Sequence, residues 1–150
     1  MTDCGAHHFG GATFAVDVRE LQPKEVILDE KDGKKFVSLR YPNGMEITHN
    51  KPAVGQMHVG RDNEQREGKE VPKYAGSGGI TGDFIDCVKT RNKPFRDIEF
   101  AINTMAVPHL ATIAYKLNRS LKWDSAKQQF IDDAEADRLR DRARREPWQI

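Results

Sequence analysis

Asp3 and His7 stand four residues apart in the opening stretch TDCGAHHF. If that stretch is helical, both side chains leave the same face within hydrogen-bonding reach. A carboxylate that holds one imidazole nitrogen fixes the tautomer and leaves the other free to take a proton from a substrate hydroxyl near neutral pH. On spacing alone the plainer account is an N-cap aspartate followed by a surface histidine. Gly10 and Gly11 weaken any helix here, by roughly 1 kcal/mol each relative to alanine.

Two other clusters invite chemistry. Cys4, His7 and His8 lie close together, but Cys-x-x-His supplies two ligands where a closed zinc site needs four. His49, His58 and His109 are spread over two strands and a helix, so no metal site is expected. His109, on a mostly apolar helical face, reads as a core residue with one hydrogen bond made. The segment GSGGITGDF places Gly76, Gly78 and Gly82 ahead of a helix, close to a dinucleotide fingerprint. A working fingerprint follows a hydrophobic parallel strand and opens a βαβ unit. Here the preceding EVPKYA is polar and broken by proline, so the segment reads as a surface loop and no cofactor-binding residue is assigned.

The elements that position these groups follow from pattern. From Glu25, the stretch EVILDEKDGKKFVSLRYPNGMEIT holds Asp32-Gly33 and Asn43-Gly44 between β-favouring residues, which predicts a meander of three strands. In the middle strand Val37, Leu39 and Tyr41 share one face, while Phe36, Ser38 and Arg40 share a more mixed one. A short strand at QMHVG is expected next, then a long polar connection. A helix capped by Thr81 carries Phe84, Ile85 and Val88 as an apolar stripe. A second helix, Asp97 to Asn118, aligns Ile98, Ile102, Met105, Leu110, Ile113 and Leu117 for packing on a sheet, with a kink expected near Pro108. A last short helix is expected from Asp133 to about Arg142, with Trp123 and Trp148 anchoring the tail. These elements predict an α+β fold with an open, mainly antiparallel sheet and helices packed on one face.

The chain of 150 residues is long enough for one domain with its own core. We read residues 1–150 as that domain, with 120–150 forming an extended C-terminal tail and short helix. With 24 basic and 23 acidic residues the net charge is +1, which supplies no field to steer nucleic acid or an acidic membrane surface. In the tail, Asp137, Asp141 and Glu146 alternate with Arg138, Arg142 and Arg145, the pattern of a solvated face with local ion pairs. Two cysteines make no disulfide framework. With no apolar run of membrane-spanning length and no leader pattern, a cytoplasmic protein is expected.

The chain resembles the C-terminal half of the Gfo/Idh/MocA oxidoreductases. The likeness rests on DCGAHHF, FIDCVKTRNKPFRDIE, HLATIAYKLNRSLKWD, QQFIDDAEADRL and REPWQI. It implies a domain that shapes a sugar or polyol pocket and builds a homo-oligomer through its sheet. It further implies an Asp-x-x-x-His pair that assists hydride exchange with NAD or NADP held by a separate Rossmann domain. Asp3 and His7 match that pair, with His7 as the proton shuttle and Asp3 its orienter, and His8 is a candidate substrate contact. Neither a Rossmann fingerprint in context nor the family's Glu-Lys-Pro motif is present, so a truncated or split form that needs a Rossmann partner is expected. The alternative is a non-enzymatic, self-associating or sugar-binding derivative.

Overall fold

The computed structural model describes residues 2–15, 18–49, 74–141, 145 and 146, without the side chains of residues 2–4 and 15. The expected strand at QMHVG, the cluster partner His58, Arg142 and the anchor Trp148 lie outside the described residues.

A helix, α1 (Thr2–Ala15), comes first. It is followed by β1 (Glu25–Lys31), β2 (Lys34–Arg40) and β3 (Glu46–His49), then α2 (Gly79–Thr90) and α3 (Ile98–Leu117). The chain ends in β4 (Leu121–Asp124), β5 (Gln129–Phe130) and α4 (Ala134–Asp137). All described strand pairs are antiparallel, in the order β3-β2-β1-β4-β5. The α+β class with an open antiparallel sheet therefore holds. The expected order of helix, strands, then helices missed the hairpin β4–β5, in which β4 returns to pair with β1, Val26 opposite Leu121. A strand of four residues carrying only Leu121 and Trp123 as buried positions leaves little alternation to read.

Turn chemistry sets the meander's register. Asp32 and Gly33 both have positive φ, 53° and 71°, and Lys31 faces Lys34 across a two-residue loop, the primed turn that matches strand twist. The second turn is longer. The Tyr41 N–H donates to the Met45 carbonyl and the Gly44 N–H to that of Tyr41, while Asn43 Oδ1 accepts from the Met45 N–H.

Val26, Leu39, Ile47 and Leu121 stand side by side across four strands and are buried. Val107, Leu110, Ala111 and Ala114 of α3 belong to the same core, with Phe9 of α1. Phe36 and Ser38, on the opposite face of β2, are buried too, so that face is less mixed than its residue types suggest.

The predicted helix from Asp97 to Asn118 matches α3. Asp97 Oδ1 accepts from the Phe100 N–H, and Asn118 closes the helix in the left-handed region. The helix is continuous through Pro108. Its expected apolar stripe is packed only in the C-terminal half, since Leu110 and Ile113 are buried whereas Ile98 is 72% exposed and Ile102 lies open as well. His109 is exposed rather than in the core, because the buried face turns on Val107, Ala111 and Ala114. The start of α2 also differs: Gly78, at φ 80°, occupies the N-cap position with no side-chain cap, and Thr81 lies inside the helix. Phe84, Ile85 and Val88 face solvent. The buried residue of α2 is Asp83, whose Oδ2 accepts from the Phe95 N–H at 2.9 Å.

Candidate functional site

α1 runs through Gly10 and Gly11 despite their cost, because packing supplies what propensity lacks. Gly5, Phe9 and Thr13, four residues apart, are buried along one side. On the flank, a Cβ at Gly10 would stand 3.2 Å from Thr104 Cγ2, so glycine permits a close approach to α3. Gly10 meets Thr104 while Phe14 meets Phe100. The two helices therefore lie antiparallel.

This helix puts Asp3 and His7 one turn apart on one face. His7 and His8 are exposed; the Asp3 side chain lies outside the described atoms. The face that bears His7 continues through Gly10 to Phe14, because positions seven apart nearly superpose on a helix. Its far end is a cluster of rings and cations. Phe14 meets Phe95 and Phe100 edge-on, with centroids 6.2 and 5.9 Å away. The Arg19 and Arg96 guanidinium carbons lie 5.6 and 5.5 Å from the centre of the Phe14 ring, within cation–π range.

A second histidine belongs to a pair that sequence spacing does not announce. His49, at the end of β3, lies 3.0 Å through Nδ1 from the Tyr115 hydroxyl of α3 and packs its ring against Phe9. Burial pushes the His49 imidazole pKa down and that of the Tyr115 phenol up. The register places His49 opposite Val37, on the helix-facing side of the sheet, and that signal was present in the alternation of β2. Among the described residues no group of three or more His, Cys, Asp or Glu side chains is set to hold a metal ion. Nor, among the described residues, is any helix long and apolar enough to cross a membrane.

The glycine-rich segment ahead of α2 is packed closely on itself. A side-chain carbon at Gly82 would collide with the Ser77 carbonyl, and one at Gly76 with the Tyr74 ring. Glycine at these two positions is thus required by the loop's own packing.

A polar chain holds the segment between α1 and β1. Gln22 Oε1 accepts from Trp123 Nε1 at 2.8 Å and from Gln128 Nε2 at 3.0 Å. Gln22 Nε2 donates to Asn103 Oδ1, and Asn103 Nδ2 donates to the Arg19 carbonyl. The backbone at Arg19 is thereby tied to α3. Neither Gln22 nor Asn103 carries a pattern that announces this role.

Compared with known proteins, residues 61–150 match the family described as the oxidoreductase family, C-terminal alpha/beta domain. The matched stretch begins after α1 and the meander, so Asp3, His7 and His8 precede it. No curated protein and no solved structure matches the chain.

Proposed function

Because the chain belongs to the Gfo/Idh/MocA oxidoreductase family through its C-terminal domain, we propose that it forms the substrate-facing half of a dinucleotide-dependent oxidoreductase acting on a sugar or polyol carbon. The observation that carries this reading is the helix over Thr2–Ala15, which sets His7 in the open one turn from Asp3. In the proposed reaction His7 accepts the proton of the hydroxyl being oxidised, or returns it in the reverse direction, and Asp3 holds the imidazole in the required tautomer. His8, exposed on the adjoining flank, touches the substrate. In this reading the dinucleotide is held by a Rossmann domain outside the described residues. Hydride exchange needs reacting atoms about 3–3.5 Å apart, so that domain must seat its nicotinamide over the N-terminal half of α1.

The test is an assay of this chain mixed with a family Rossmann domain, following NAD(P)+ reduction over a panel of sugars and polyols. Turnover that falls roughly 10²–10⁴-fold in His7→Ala supports the reading; turnover indifferent to His7 overturns it. A second reading, a non-enzymatic domain that self-associates, is favoured by Phe84, Val88, Ile98 and Ile102 standing exposed on α2 and the start of α3. Light scattering that finds a monomer at all concentrations counts against it.

A further inference from the structure

We propose that His49 and Tyr115 are positioning residues for His7, holding the half of α1 that carries it against β3 and α3. This rests on the reading of His7 above and adds two residues that act through the helix rather than on the substrate.

α1 has little hold on its own shape. Its 14 residues include Gly5, Gly10 and Gly11, and helices of about 12–15 residues are marginal in water even with better helix formers. Where its side chains stand is therefore set by what packs on it. Toward the C-terminal end, Phe14 meets Phe95 and Phe100. Among the described side chains of the half that carries His7, Phe9 is the large buried one, at 5% exposure. The ring of His49 packs against it, with centroids 5.9 Å apart. Phe9 and His7 are two residues apart on one helix, so a slide of one residue at Phe9, about 1.5 Å, is passed on whole to His7. A misplacement of about 1 Å can cost roughly 10²-fold in rate.

His49 is itself fixed from two sides. Its backbone stands in the ladder opposite Val37, at the end of β3, and its Nδ1 lies 3.0 Å from the Tyr115 hydroxyl. The two rings meet edge to face, with centroids 5.8 Å apart. The Val37 N–H donates to the Tyr115 oxygen, which leaves the phenolic proton for Nδ1. The bond then calls for a neutral imidazole with its own proton on Nε2, the charge state that burial favours. This bond sets the rotation of the ring on which Phe9 rests. α1, β3 and α3 are thereby keyed together at Phe9, His49 and Tyr115, one residue from each.

The experiment pairs kinetics with local exchange. Tyr115→Phe and His49→Leu each remove the hydrogen bond, while His49→Asn returns an acceptor oxygen near the place of Nδ1. Each variant is assayed with the Rossmann domain well below its own melting temperature. The expected result is a kcat lower by roughly ten- to a hundredfold in Tyr115→Phe and His49→Leu, with KM essentially unchanged and most of the loss recovered in His49→Asn. In the chain alone, amide hydrogens of residues 5–9 exchange roughly tenfold faster in the first two variants while those of β1 and β2 hold. Nitrogen-15 NMR of the parent finds the His49 proton on Nε2. A loss confined to KM, faster exchange with no change in kcat, no recovery in His49→Asn, or a proton on Nδ1 each overturns the inference. Turnover that collapses in His7→Ala but is untouched in Tyr115→Phe and His49→Leu also overturns it, and leaves the role of His7 standing. Turnover that ignores His7→Ala as well marks the failure of the reading beneath it.

Discussion

The indole N–H of Trp123 donates to Gln22 Oε1 across 101 residues of sequence, at 2.8 Å, with both side chains buried. One amide thus joins β4, the segment before β1, and α3. Gln22→Ala strands the indole N–H and Asn103 Oδ1 together, and each stranded buried group costs about 1–3 kcal/mol. We expect a loss of about 2–6 kcal/mol in urea unfolding from these combined, with the Trp123 emission shifted to the red.

His7 is exposed. Its replacement by alanine should leave stability within about 0.5 kcal/mol of the parent, as surface substitutions do, even as turnover of the Rossmann-complemented chain collapses. Melting curves and rates measured on one preparation separate the two effects. A large fall in melting temperature would recast His7 as a structural residue.

Arg119 grips Asp133 with both terminal nitrogens, one at 2.8 Å, and holds its carboxyl down to about 2. The free carboxyl titrates near about 3.9. A depressed carboxylate adds stability that is present above the unfolded value and is lost as pH falls through the folded one. The α4 cap and its hairpin should therefore loosen as the pH drops from about 4 toward 2. Arg119→Gln should move that acid transition upward, read from Trp123 fluorescence in a Trp148→Phe background.

His49 carries the opposite charge type with a shift in the same direction. Its pKa is lowered by burial, so the folded state favours the neutral ring. The stability this contributes is present above the ordinary value of about 6.5 and is lost as pH falls below it. His49→Gln should flatten the slope of stability between about pH 7 and pH 5, measured by denaturant midpoints. An unchanged slope would show that another group titrates there.

Thr104 has a buried hydroxyl without a partner among the described residues. Thr104→Val keeps the shape and removes the unsatisfied group, so the ligand-free chain should gain up to about 1 kcal/mol. Denaturant midpoints of parent and variant, measured side by side, check this.

The meander was legible because Asp32-Gly33 states its turn type outright, and α3 because Asp97 and Asn118 mark both ends. The return of β4 beside β1 was not legible, since a tertiary pairing over about a hundred residues leaves no local trace. Periodicity misled at α2, where Phe84 and Val88 have the spacing of a packed face but stand in the open; period reports which residues share a side, not what covers it. The cation cluster on Phe14 stayed hidden for a related reason. Arg19 and Arg96 come from opposite halves of the chain, and each stands within reach of the Phe14 ring only in the folded chain.

α2 keeps its large apolar side chains in water and is pinned chiefly through Asp83. Melting that helix alone uncovers little new hydrocarbon, and the sensitivity of an opening event to denaturant scales with the surface it uncovers. Amide hydrogens between Gly79 and Thr90 should then trade with deuterium at rates that urea scarcely alters, while those of α3 wait for the whole domain to open.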